Sequence, residues 1–125
     1  MTGGVLPAWV RRRHRDAVAQ RLLDMLSTAM LGRDLGGIRA VLHDRAVVVI
    51  DTGASAAPPG DAAAAVAALM TPGTAITTTS VNGAPGLVLT RDRAVVGVIT
   101  AQTRARRIAA LWVVCNPDKL RHWNR

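Results

Sequence analysis

The chain has 125 residues, half of them hydrophobic, and its 15 Arg and one Lys against eight Asp give a net charge of +8. This length fits a single domain, residues 1–125, with enough apolar residues to form its own core. No stretch of about 20 apolar residues is present to cross a membrane. No apolar run follows the N-terminal charges as in a signal peptide, and Cys115 has no second cysteine to pair with. We therefore expect a cytoplasmic protein without membrane contact.

The basic residues are distributed along the chain, and no aromatic residues alternate with them to stack on bases. Phe and Tyr are absent, and Trp9, Trp112 and Trp123 are the only aromatic residues of the three types. The simplest interpretation of the arginines is a solvated surface, so we do not expect direct nucleic-acid binding. Any cavity should be lined by aliphatic side chains.

The N-terminal half has helical patterns. Residues 8 to 31 predict a long helix that ends at Gly32, because their apolar residues recur on one stripe. Asp34 is the expected N-cap of a second, short helix. After a β-branched run at 46–50, which predicts a strand, DTGASAAPPG is a loop by composition. Asp61 then caps a third helix at 62–70.

The C-terminal half predicts four strands, at 76–79, 86–90, 94–101 and 108–115, joined by short turns. Asn82-Gly83 favours a tight turn because both residues tolerate positive φ. Asn116 and Pro117 then begin a final helical turn as N-cap and first helical residue. Helices precede an antiparallel meander, so the fold class is α+β.

Three stretches, VNGAPGLVL, AVVGVIT and RRIAALWVVCNPDKLRHW, resemble the SnoaL-like, nuclear transport factor 2-like superfamily. They are most similar to the C-terminal SnoaL-like domain of actinobacterial extracytoplasmic-function sigma factors. The resemblance implies a cone-shaped, cystatin-like fold, in which a bent antiparallel sheet wraps around the long N-terminal helix and encloses a cavity. It also implies a homodimer formed through the outer face of the sheet.

The sequence differs from those sigma factors in two respects. Their two helical DNA- and polymerase-binding domains have no counterpart in these residues, so we expect a stand-alone domain. Their glycine-rich Asp-Gly-Gly-Gly-Lys-Val loop is replaced by residues 51–56, DTGASA, which lack the lysine. A regulatory contact that needs this lysine is therefore not expected.

Asp51 is the first candidate catalytic residue, since it ends an apolar strand and leads into the loop that borders the cavity in this fold. Apolar surroundings would raise the pKa of its carboxyl group, which suits a general base. The alternative is an aspartate that caps its own turn. His43, next to Asp44, is the second candidate, either as a proton shuttle or as part of a polar connector. No metal-ligand spacing or cofactor motif is present, so we expect neither metal nor cofactor.

Trp112 lies mid-strand and either stacks on a flat ligand or fills the core. It heads a candidate ligand-binding set that also contains aliphatic residues of the long helix and the sheet: Leu22, Met25, Leu26 and Val98. The candidate interaction residues are Asn116, Pro117, Asp118, Lys119 and Leu120. They close the last strand with a capped turn, and the resemblance implies that they also contact a neighbouring domain, which here means another molecule.

Two functions follow. The first is a module that binds a small apolar molecule or a partner protein, with transcription regulation as one role. The second is a SnoaL-like polyketide cyclase, isomerase or epoxide hydrolase that uses Asp51 as its base. Isomerases of this superfamily hold the developing enolate with a Tyr, and this chain has none, so we rank the module first.

Overall fold

The structure, a computed structural model, describes residues 7–53, 56–57 and 60–124. The three predicted helices are α1 (Ala8–Leu31), α2 (Leu35–Val41) and α3 (Ala62–Ala67). Both predicted caps are confirmed, because Asp34 accepts a hydrogen bond from the Gly37 N–H and Asp61 accepts one from Ala64. No helix in the described part of the chain is both long and apolar enough to span a membrane.

The strands are β1 (Leu42–Asp51), β2 (Ala56–Ala57), β3 (Ala75–Val81), β4 (Ala84–Arg91), β5 (Ala94–Arg104) and β6 (Arg107–Val114). They form one sheet in the order β2-β1-β6-β5-β4-β3. The meander from β3 to β6 is antiparallel as predicted, but β1 pairs with β6 in parallel. The sheet is therefore mixed, because the connection through α3 lets β1 lie beside β6 in the same direction. The stretch predicted to be only loop also contributes β2, which pairs with the end of β1.

Two-residue turns join the strands of the meander. Asn82 and Gly83 have φ of +52° and +83°, which confirms the predicted tight turn. The next two turns centre on Asp92-Arg93 and Ala105-Arg106, and all four residues have positive φ. Arg91 pairs with Ala94, and Arg104 pairs with Arg107, so each turn contains only two residues. Arg93 and Arg106, the second residue of each turn, therefore lie at the ends of hairpins.

The main core lies between α1, α2, α3 and the inner face of the sheet. Its members include Leu23, Leu26, Ile99 and Leu111, whose side chains are 0% exposed. A side chain with no exposed area touches no space that a water molecule can enter. These residues therefore pack against one another in the middle of the layer and do not border an open hollow there.

A second, smaller apolar cluster lies on the outer face of the sheet, under the C-terminal segment. Leu120 is buried there against Val81, Val88 and Val98. Leu120 is followed by a short 3-10 helix, Arg121–Trp123. Asn124 then bonds both backbone groups of Val95, with its Oδ1 2.6 Å from the Val95 nitrogen and its Nδ2 3.0 Å from the Val95 oxygen. Val95 lies beyond the end of β6, so this side-chain amide takes the place of a strand partner.

Candidate functional site

The direction of the Asp51 side chain follows from strand register. Asp51 pairs with Val114 of β6, and Val114 in turn pairs with Val98 of β5. Paired residues on adjacent strands point to the same face of a sheet. Val98 packs in the outer cluster, so Asp51 also points to the outer face, away from α1. The structure thus does not place Asp51 in the layer between helix and sheet, where the resemblance implied a cavity.

The Asp51 carboxylate already has partners on both oxygens. Oδ2 lies 2.5 Å from Nζ of Lys119, and Oδ1 accepts a hydrogen bond from the Gly53 N–H at 2.9 Å. These contacts, first Lys119 and then Gly53, hold the pKa of Asp51 below its ordinary value. The expectation of a raised pKa is therefore wrong, because the carboxylate is stabilised by a cation and an N–H group. An ionised carboxylate whose two oxygens both accept hydrogen bonds is a weak base near neutral pH.

We call the contact between the end of β1 and the turn after β6 the C-terminal clasp, formed by Asp51, Gly53, Asn116, Lys119 and Leu120. Oδ1 of Asn116 accepts a hydrogen bond from the Asp118 N–H at 3.1 Å, which fixes the turn. Lys119 reaches Asp51 from this turn, while its neighbour Leu120 enters the outer cluster.

Gly53 is required in the clasp for two reasons. Its φ of +98° is disfavoured for other residues, and a Cβ atom there would lie 3.1 Å from Oδ1 of Asn116. Cys115 adds a backbone bond, since its N–H donates to the Asp51 carbonyl at 2.7 Å. The clasp was missed in the sequence, where its one signal was that Lys119 is the only lysine of the chain.

His43 lies far from the clasp. It is eight residues from Asp51 on the same strand, which corresponds to roughly 26 Å, so the two catalytic candidates do not share a site. Its Nδ1 accepts a hydrogen bond from the Arg45 N–H at 3.2 Å. It borders a pocket of about 530 Å³ between α2, β1 and α3, together with Arg39 and Asp61.

The polar residues of this pocket have structural partners. Arg39 and Asp61 form an exposed ion pair at 3.3 Å. The Ala64 N–H at the start of α3, followed by Arg39, lowers the pKa of Asp61. These contacts fit the interpretation of the segment around His43 as a polar connector between helix and strand.

The five candidate ligand residues are separated by the sheet. Leu26 is fully buried in the main core, whereas Val98 is buried in the outer cluster. Trp112 is 44% exposed on the outer face, so the prediction that it fills the core is wrong. The strand that contains Trp112 is apolar on both faces, so the sequence does not indicate to which face the indole points. Leu22 and Met25 do come together, in a pocket of about 400 Å³ beside α1.

Trp112 belongs to an outer-face patch on β1 and β6 that the C-terminal segment leaves uncovered. Trp112 pairs with Val49, and Val47 of the same strand is 52% exposed. Val47 and Val49 alternate with the buried Val48, so they point outward like the indole. Among the described residues, the C-terminal segment therefore covers the outer face around Val81, Val88 and Val98 and leaves Val47 and Trp112 exposed.

No protein-family model and no curated protein matches the sequence. Several solved structures match the fold. A candidate ketosteroid isomerase of Kribbella flavida is 15% identical, with 79% of this chain and 78% of that chain covered and a TM-score of 0.58. An LEH-like epoxide hydrolase of Mycobacterium tuberculosis is 16% identical, with 86% and 89% covered and a TM-score of 0.51.

The extracytoplasmic-function sigma factor SigJ of Mycobacterium tuberculosis is also similar. It is 18% identical and has a TM-score of 0.54; the match covers 90% of this chain and 47% of SigJ. At such identities the similarity shows the fold. The predicted α+β fold, with a long N-terminal helix packed on a sheet as in nuclear transport factor 2-like proteins, is thus confirmed.

Proposed function

We propose that this chain is a non-catalytic SnoaL-like module that binds a small apolar molecule or a partner protein. The observation that supports this proposal most strongly is the state of Asp51. Its carboxylate lies on the outer face, ionised and bonded to Lys119 and Gly53. The best candidate base is therefore held in the clasp and has no oxygen free of partners.

The experiment that tests the proposal is a turnover assay on reactions named for two structural neighbours. The purified chain is incubated with a β,γ-unsaturated ketosteroid and, separately, with an aliphatic epoxide. We expect rates equal to those without protein, for the wild type and for Asp51→Asn alike. Turnover that is lost in Asp51→Asn but retained in the matched control Lys119→Gln would overturn the proposal, because both variants break the same ion pair.

The alternative function is a cyclase, isomerase or epoxide hydrolase with Asp51 as the base. Two of the three similar structures described above carry enzyme names, which is the observation in its favour. This alternative requires the clasp to open, so that Asp51 loses Lys119 and regains a higher pKa. It predicts that Lys119→Gln increases turnover, whereas the module predicts no turnover in any variant.

We propose that the outer-face patch pairs with a second copy of the chain. Trp112 and Val47 are large, apolar and about half exposed, and a contiguous patch of this kind is typical of an interface. Light scattering after size exclusion tests this: we expect a dimer for the wild type and a monomer for Trp112→Arg. A monomeric wild type would leave the patch free for another protein, such as a component of transcription initiation, the role suggested by the similarity to SigJ.

A further inference from the structure

We propose that the pocket beside α1 binds an amphipathic anion, a carboxylate with an aliphatic chain. This inference rests on the proposed binding function and specifies its site and ligand class. We call the site the basic groove; it is formed by an aliphatic floor of Val18, Leu22, Met25 and Val41 and a rim of Arg21, Arg106 and Arg107.

The groove has the shape and the lining of a ligand site. It lies between the middle of α1, the end of α2 and the turn from β5 to β6, and its volume of about 400 Å³ lies within the range of roughly 300–1,000 Å³ typical of ligand pockets. Met25 lies on its floor and is 50% exposed, whereas other apolar residues of α1, such as Leu23 and Leu26, are buried. An aliphatic chain placed on Met25 would remove this surface from water.

The groove continues along the two helices. Met25 and Val41 also border a neighbouring pocket between α1 and α2, which extends past Ala29 to Gly32. The two pockets share Met25, Ala40 and Val41, so a tail that passes Met25 can continue along the helices, away from the rim.

The cations of the rim have few anionic partners. Across the described ranges, no acid pairs with Arg21 or Arg106, and Arg107 has only a loose, exposed pair with Asp44 at 3.6 Å. Arg21 and Arg106 are 85 residues apart in the sequence, and the fold brings them to one pocket. Three guanidinium groups that border one pocket with a single, loosely paired counter-charge favour an anion, and their planar fork fits a carboxylate.

The floor decides which anion fits best. Duplex DNA would use the arginines for its phosphates but would gain nothing from a recessed aliphatic floor. A fatty carboxylate uses both parts, because its head meets the rim while its tail covers Met25 and Leu22. We therefore expect the groove to discriminate by head-group charge and by the presence of a tail.

The test measures the binding of decanoate, below its micelle concentration, to the full chain. Calorimetry gives the affinity, and shifts of the backbone amide signals in NMR spectra give the location. We expect decanoate to bind more tightly than decanol, and decyltrimethylammonium to bind more weakly than either. Arg106→Ala should weaken decanoate binding about three- to five-fold, as expected for one exposed ion pair. Met25→Gln, which keeps a helix-favouring residue of similar length, should also weaken it.

Arg93→Ala is the matched control. Arg93 and Arg106 are both exposed and both occupy the second position of a two-residue turn, with φ of +66° and +63°. Replacement by alanine costs the same backbone strain at each site, but only Arg106 borders the groove. We expect Arg93→Ala to bind decanoate like the wild type.

Four outcomes would overturn the inference: equal binding of decanoate and decanol, equal effects of Arg106→Ala and Arg93→Ala, amide shifts that cluster around Trp112, or binding of duplex DNA without binding of decanoate. Each of these leaves the proposed module intact, since that proposal depends on the absence of turnover. Conversely, turnover that requires Asp51 would overturn the module and leave the groove as a separate binding site.

Discussion

Replacing Leu26 with alanine tests whether the middle of the fold is filled. Leu26 is 0% exposed, and it packs in the main core together with Leu23, Ile99 and Leu111. Leu→Ala at such a site removes buried apolar surface and leaves a void, which costs about 3–4 kcal/mol of the free energy of unfolding. With a urea dependence of about 1.5–2 kcal/mol/M, the unfolding midpoint should fall by about 2 M.

Two controls on the same helix separate packing from other effects. Leu26→Met nearly keeps the volume and should cost less than about 1.5 kcal/mol. Leu31→Ala removes a side chain that is 55% exposed, and we expect a change within about 0.5–1 kcal/mol. The measurement is urea unfolding followed by circular dichroism. A loss below about 1 kcal/mol for Leu26→Ala would mean that Leu26 borders open space and that the interior is not filled.

Two further predictions concern the clasp. Asp51→Asn should lower the melting temperature at neutral pH. The pKa of Asp51 is lower in the folded protein than in the unfolded chain, so the ionised carboxylate stabilises the fold. This stabilisation is complete above the ordinary carboxyl pKa of about 4 and is lost as the pH falls through the pKa of Asp51 in the folded protein. The gap in melting temperature between wild type and variant should therefore close in acid; a gap that widens there would contradict the ion pair with Lys119. Gly53→Ala should cost about 1–2 kcal/mol because of its positive φ, whereas Gly60→Ala, which meets no atom within 4 Å, should be close to neutral by the same unfolding measurement.

Local signals in the sequence were enough to predict the helices and the meander. Asp34 and Asp61 cap their helices as predicted, and Asn82-Gly83 forms the expected turn. Each of these features depends on residues a few positions apart, and the resemblance supplied their overall arrangement. The α+β fold class could therefore be predicted from the sequence, whereas the parallel pairing of β1 with β6 could not.

The placement of the candidate site residues could not be predicted in the same way. Whether Asp51 points inward or outward depends on its register with Val114, a partner more than 60 positions away in the sequence. The strand that carries Trp112 is apolar on both faces, so alternation gave no direction for the indole. The basic groove likewise exists only because the fold joins α1 to the turn at Arg106.

The parallel pair of β1 and β6 also has a consequence for the order in which the protein folds. β3 to β6 are linked by two-residue turns, so their pairing requires only short loops to close. β1 must find β6 across about 55 intervening residues, which costs more chain entropy and slows the step. We therefore expect the hairpins to form early and β1 to dock last, with Lys119 meeting its carboxylate partner only at that final stage.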